Sequence, residues 1–261
     1  MGLTKQQINN VEQVLRNSLR HKFQNYNPET SYMPFHTRLL GRDRIALFSF
    51  IQSLNTNFGT SIFEPVAISL AQSKFKKAIS QATAGYTISE YSQHTIQDIM
   101  DDLTSATSKP CKRDEIEAIR KVCQKGIMKT VKPTKVDIML EGFNGELFLF
   151  DIKTAKPNKG SFKEFKRTLL EWVAVTFAAN PQAEISSLIA IPYNPYEPKP
   201  YSRWTMAGML DLKEELKVAD EFWDFLSGQG TYNDLLDCFE RVGIELRSEI
   251  DAYFSRFDKH Q

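Results

Sequence analysis

The stretch Lys135–Lys153, KVDIMLEGFNGELFLFDIK, decides how the rest of this chain is read. Two apolar runs, Val136–Leu140 and Leu147–Ile152, flank Gly142-Phe143-Asn144-Gly145, whose glycines favour a turn. The second run is apolar on both faces, the pattern of a central strand covered from both sides. Each run nevertheless carries an aspartate, Asp137 near the start of the first and Asp151 at the end of the second. Side chains alternate along a strand, so Asp151 and Lys153 point one way and Ile152 the other. Two carboxylates and an ammonium thus converge at one end of an apolar hairpin. Burying such groups costs several kcal/mol each unless they are paired or bind a metal. The hairpin end is therefore either a structural Asp151–Lys153 ion pair, with Asp137 as a turn residue, or a site.

Upstream, residues 4–24 predict an amphipathic helix with Thr4 as cap and Ile8, Val11, Val14, Leu15 and Leu19 on one side. Asn25–Pro34 is a turn-rich connection. Helical spacing resumes over Ile45–Leu54, preceded by Arg38 and by Arg42-Asp43-Arg44 at the helix start. That cluster is a solvated helix terminus or a ligand-facing set. Glu64-Pro65 predicts the start of another helix, carried on by Ala67, Leu70, Ala71, Phe75 and Ala78. Glu64 there either complements the helix dipole or lends an acid to the site. Residues 92–106 and 114–125 read as two further helices, the second capped by Asp114 and ended by Gly126. Lys109, Lys112, Arg113, Arg120, Lys121, Lys125, Lys129, Lys132 and Lys135 make this the most basic region of the sequence.

Downstream of Lys153 come Lys156 and Lys159, then Ser161-Phe162-Lys163-Glu164, a capping box. The helix it starts has Phe162, Phe165, Leu169, Trp172, Val173 and Phe177 on its core side. Ile185–Ile191 predicts a third strand, parallel to the second through a strand–helix–strand crossover. The proline- and aromatic-rich loop that follows, with Tyr193, Asn194, Lys199, Tyr201 and Arg203, leaves the sheet on the same side as the charged hairpin end. Residues 209–226 and 231–257 read as closing helices.

At 261 residues, with 41% hydrophobic and 25% charged residues, the composition is that of an ordinary globular protein. A net charge of +1 excludes any argument from overall basicity to nucleic acid, so a DNA-binding face has to come from clustering. Three cysteines show no metal-ligand spacing, and their odd number argues against a disulfide framework. No signal core and no membrane-spanning run is present, so a reduced, cytoplasmic protein with no membrane partner is expected.

The preceding acid, the strand–turn–strand and the D-x-K at a strand end together resemble the PD-(D/E)XK nuclease core. Asp137, Asp151 and Lys153 fall in the matching positions, and Val136 stands where that family often has proline. The resemblance implies an α/β, restriction-endonuclease-like core: a central mixed β-sheet flanked by helices, with helical additions at both ends. One domain would span 1–261, with an N-terminal helical part over 1–60, a core over 61–195 and a C-terminal helical part over 205–261. It also implies Mg2+ held by Asp137, Asp151 and the Ile152 carbonyl, with Glu64 completing the shell and Lys153 orienting or helping to deprotonate the attacking water.

More narrowly, Pro34–Pro65, the hairpin and Phe222–Glu245 look like type II restriction endonucleases of the TdeIII and MjaII kind. That implies a homodimer that cuts both strands of double-stranded DNA at a short, GGNCC-like palindrome, and a cognate DNA methyltransferase as its functional partner. Arg42-Asp43-Arg44 has the donors and acceptor to read adjacent G·C pairs, and the Tyr193–Trp204 loop is the competing reader. The basic region over 109–135, with Lys156 and Lys159, would grip the phosphodiester backbone, and Arg38 would join the DNA contacts. Two other readings of the hairpin stand beside this one: a structure-specific repair or junction-resolving nuclease, and a non-catalytic DNA-binding protein with a relic core.

Overall fold

Five strands form a mixed sheet in the order β1 (Lys77–Thr83), β4 (Lys135–Glu141), β5 (Leu147–Ile152), β6 (Ile185–Ile191) and β7 (Leu216–Val218). The computed structural model describes residues 2–28, 33–132, 135–153, 155–201 and 206–257, with side chains left out at 55–58, 60 and 159. Within the sheet, β1–β4 and β4–β5 pair antiparallel, whereas β5–β6 and β6–β7 pair parallel. The hairpin predicted from its glycines is there, with Gly145 at φ 89° in the left-handed region that closes the turn. The parallel third strand is there too. A small second sheet pairs β2 (Thr87–Ser89) with β3 (Met128–Thr130).

The described residues fall into two compact units, one over Met1–Leu70 and Gly228–Gln261, the other over Ala71–Ser227. The second holds the sheet, covered on both faces. Alternate β5 side chains Phe148 and Phe150 pack against Phe225 and Phe222 of α8 (Asp220–Ser227) in edge-on and tilted ring contacts, with Phe75 beside them. Leu149 and Asp151 point the other way, toward α7 (Phe162–Ala179), whose Leu169 carbonyl accepts a hydrogen bond from Ser187 on the neighbouring strand. Here α5 (Glu90–Ser105) and α6 (Lys112–Arg120) pack against α7. In the first unit, α1 (Lys5–Asn25) packs on α9 (Thr231–Glu245), with α2 (Pro34–Leu40), α3 (Arg42–Phe58), α4 (Glu64–Ala71) and α10 (Arg247–Phe254) completing it. Thr4 caps α1 as expected, in a reciprocal capping box with Gln7.

Several elements differ from the sequence reading, each for a physical reason. Glu64-Pro65 does begin a helix, α4, but not with a free N-terminus, because α3 runs into it through a π-helical turn at Gly59–Phe63. Proline lacks the N–H that would bond the carbonyl four residues back, which is Ser61; that carbonyl accepts from the Ser18 hydroxyl instead, at 2.7 Å. The helix also stops at Ala71, and Lys77–Thr83, read as its tail, is strand β1. As an edge strand, half-exposed and short of bulky apolar residues, β1 carries little strand signature. Helix α6 starts at Lys112 after Cys111 and has no side-chain cap, so Asp114 sits inside its first turn. Ser161 has helical φ and ψ and makes no capping bond, so the predicted capping box does not form. Residues 209–226 hold turns, β7 and α8 in place of one helix, α9 and α10 divide at Leu246, and Pro34–Leu40 is a short helix that follows the turn-rich connection, where no element was expected.

Under α7 lies a buried charge network that sequence periodicity does not show. Lys166, fully buried, reaches Glu115 at 2.5 Å and Glu215 at 2.7 Å, and Lys112 reaches Glu215 at 2.9 Å and Ser187 at 2.7 Å. Two ammoniums and two carboxylates balance. Burial alone would push the Glu215 carboxyl up, but Lys112 and Lys166 more than offset it and hold it below its usual range. Removing one partner leaves an uncompensated buried charge, which costs about 3–5 kcal/mol. Lys166→Met is therefore expected to destabilise by about that much in urea unfolding, a far larger loss than methionine's good fit to a helix would suggest. A change below about 1 kcal/mol would mean the network stabilises no more than a surface pair.

Candidate active site

The site begins where β4 and β5 part. Their register runs from Glu141↔Leu147 to Ile138↔Phe150 and stops there. The next N–H, that of Ile152, donates to Asp137 Oδ2 at 2.8 Å, so a side chain takes the place of a ladder carbonyl. Continuing the register by one step sets Asp137 opposite Asp151, and residues directly opposite in an antiparallel pair share a face. Both carboxylates therefore lie on the α7 face. Lys153, two residues beyond, brings its ammonium to 2.7 Å from Asp151 Oδ1 and 4.5 Å above the Phe165 ring of α7. Asp137 is thus a strand residue, not a turn residue, and the Asp151–Lys153 pair exists as the simpler reading required.

That pair does not hold Asp151 in its ordinary range. Burial pushes its carboxyl up to about 7; the Lys153 ammonium pulls it down, and the adjacent Asp137 pushes it up again. A carboxyl so poorly compensated, beside a second one, marks a place where a further cation would be welcome.

On the outer side of Asp137, across β1, stands Gln81. It lies in β1 between the paired residues Ser80↔Ile138 and Ala82↔Val136 and has φ 52°. Its Nε2 is 3.4 Å from Asp137 Oδ1. Neither Gln81 nor Phe165 was a candidate from sequence; Gln81 was hidden by the misread helix tail, and only the helix-face aromatic spacing hinted at Phe165.

The loop after β6 leaves on the expected side. Tyr201 donates to the Ala155 carbonyl at 2.8 Å and Lys156 Nζ lies 5.1 Å over the Tyr196 ring, so the loop packs on the segment that follows Lys153. Asn194 braces the loop itself, its amide donating to the Lys199 carbonyl at 2.7 Å and its oxygen accepting from the Tyr196 N–H. Tyr193 is exposed; Arg203 falls outside the described residues, as does the Lys159 side chain. In the basic region, Lys112 is buried in the charge network, and Arg120 bonds the Pro181 and Ala183 carbonyls over the Phe177 ring. Neither is available to a phosphate.

Arg38, Arg42, Asp43 and Arg44 belong to the first unit. Arg42-Asp43-Arg44 forms the first turn of α3 after Gly41 at φ 91°, with Arg42, Arg44 and Arg38 exposed and Arg44 bonded to the Leu40 carbonyl at 2.8 Å. Glu64 is in that unit as well, 3% exposed at the start of α4.

The raised Asp151 has a consequence for stability. An acid whose folded-state pKa exceeds its unfolded value binds its proton more tightly when folded, so its contribution is fully present at low pH. That contribution is lost as pH climbs from 3.8 to about 7. In EDTA, Asp151→Asn is expected to be more stable than the parent at pH 8, by a few kcal/mol at most, with the gap closing toward pH 5. A variant no more stable at pH 8 would show that Lys153 fully compensates the charge.

With this geometry in view, comparison with known proteins is informative. The family model for "Type II restriction endonuclease, HinfI" matches residues 3–243. The type II restriction enzymes HgiCII and HgiEI of Herpetosiphon aurantiacus are each 24% identical over 221 residues, 83% of this chain, and 80% and 79% of their own lengths. The type II restriction enzyme MjaII of Methanocaldococcus jannaschii is 25% identical over 211 residues, 76% of this chain and 55% of its own length. The MjaII likeness expected from the sequence is thus borne out, while the matching family model is that of HinfI. Because that model runs through nearly the whole chain, hairpin included, the protein belongs to the HinfI family of type II restriction endonucleases, enzymes that are site-specific deoxyribonucleases.

Proposed function

We propose that the chain is a Mg2+-dependent endonuclease of the PD-(D/E)XK type that hydrolyses both strands of double-stranded DNA at a short palindromic site. The observation that carries this reading is the pairing of Asp137 with the buried Asp151 where β4 and β5 part, with Lys153 seated on Asp151. Among the described residues no group of three or more His, Cys, Asp or Glu side chains converges. An ion here would be held by two carboxylates, the Ile152 carbonyl and water, a hard-oxygen set of the kind magnesium accepts because it keeps much of its hydration. Bound, it would supply charge stabilisation for the pentavalent phosphorane and the leaving oxygen. Lys153 offers an ammonium N–H to the attacking water or a phosphate oxygen, and the Phe165 ring beneath fixes where that ammonium sits.

For DNA, the reading assigns backbone contacts to Arg38, Lys156 and Lys159. Base contacts go to Arg42-Asp43-Arg44 or to the loop with Tyr193, Asn194, Lys199, Tyr201 and Arg203, at a GGNCC-like site. A palindrome calls for a twofold enzyme. In support, α2 and α3 expose Phe35 and Leu39, at 84% and 81%, with Leu47, Phe48 and Ile51 near half-exposed, an apolar surface suited to a second copy. The enzyme would work in the cytoplasm beside a DNA methyltransferase that protects the same site. No helix among the described residues is long and apolar enough to cross a membrane.

Plasmid of known sequence should be cut to discrete fragments in magnesium and left intact in EDTA. Asp137→Ala and Asp151→Ala should each lose several orders of magnitude in rate while binding DNA in calcium. Lys153→Arg should not rescue, since a planar fork does not replace a compact ammonium. Random nicking, or robust cleavage by either aspartate variant, would contradict the reading. Leu39→Glu is expected to sediment as a monomer; a variant that stays dimeric would place the interface elsewhere.

A further inference from the structure

We propose that Gln81 is a positioning residue for the Asp137 carboxylate, clamping it from β1 while the Ile152 N–H clamps it from β5; this rests on the metal-site reading above. Three non-glycine residues among those described have positive φ: Gln81, Ala106 and Ala219. Ala106 is the left-handed cap of α5, its N–H bonded back to the last turn. Ala219 makes the turn from β7 into α8, its N–H donating to the Ile191 carbonyl at 2.9 Å. Gln81 instead stands inside a strand, between the paired residues Ser80 and Ala82.

A left-handed residue in mid-strand persists only where its surroundings over-determine it, and such outliers gather at functional sites. Burial does not explain this one, because Gln81 is exposed. What the conformation achieves is local: it leaves the carboxamide beside Asp137, with Nε2 3.4 Å from Oδ1, while Oδ2 takes the Ile152 N–H at 2.8 Å. One donor on each oxygen fixes the plane of the carboxylate, which a side chain with two free torsions does not fix for itself. The β1 contact is long, as catalytic hydrogen bonds often are before the ligand arrives. A donor on a metal-holding carboxylate sets its orientation, and losing one typically costs about 10–100-fold in metal affinity.

Gln81→Gly separates the side chain from the backbone, because glycine adopts positive φ freely. In EDTA this variant is expected to melt at or above the parent temperature. Calcium titrated into DNA-free protein by calorimetry should bind about tenfold more weakly or worse, and half-maximal cleavage should need correspondingly more magnesium with the KM for DNA unchanged. Gln81→Asn, which keeps the amide and tolerates the left-handed region, should recover part of the loss. The proposal is overturned if Gln81→Gly matches the parent in calcium affinity and magnesium requirement while Asp137→Ala has lost both, or if Gln81→Gly melts well below the parent. If Asp137→Ala itself keeps its calcium affinity, the metal-site reading falls, and the role of Gln81 with it.

Discussion

The bond from the Ile152 N–H to the Asp137 carboxylate is the constraint on which the site depends. In an ordinary hairpin that N–H would find a ladder carbonyl, and the two strands would run on side by side. Here a side chain takes it, the ladder ends at Ile138↔Phe150, and β4 and β5 separate with a carboxylate on each. The same bond is one of the two donors on Asp137, so the interaction that opens the site also helps to orient its first acid. Asp151 then lies opposite, buried and pushed up to about 7, with Lys153 as its ion-pair partner.

Such a site is costly and needs a rigid frame. The frame is a sheet covered on both faces: the interlocking rings of Phe148, Phe150, Phe222 and Phe225 on one side and α7 on the other. Helix α7 is held from below by Lys166 on Glu115 and Glu215, a buried charge anchor that tolerates little sliding. Phe165, adjacent to that anchor, carries the Lys153 ammonium over its ring. Packing, buried charge and site are thus linked through one helix turn, Phe165-Lys166.

Much of this was legible in the sequence, and the rest was hidden for identifiable reasons. The hairpin showed because glycines punctuate two apolar runs, and the aspartates stood out as polar residues where apolar ones belong. The parallel β6 followed from crossover rules. By contrast β1, with the sequence KAISQAT, is an edge strand whose half-exposed positions need no apolar alternation, so the helical spacing of Phe75 and Ala78 misled. With β1 went Gln81. Lys112 and Arg120 looked like DNA-facing cations because sequence reports charge and not burial; only the fold reveals that glutamates and backbone carbonyls from distant segments consume them. Pro65 suggested a helix start, and the π-turn with its Ser18 bond shows the other way a helix accommodates proline.

The account's central claim is that the gap between β4 and β5 holds the catalytic metal. The most direct measurement is to load the DNA-free protein with ferrous iron in place of magnesium and add ascorbate and peroxide, so that hydroxyl radicals formed at the bound ion cut the nearby polypeptide. The account predicts backbone scission at residues 137 and 151–153, suppressed by excess magnesium and absent in Asp151→Ala. Scission confined to other segments, or unchanged in that variant, would contradict it.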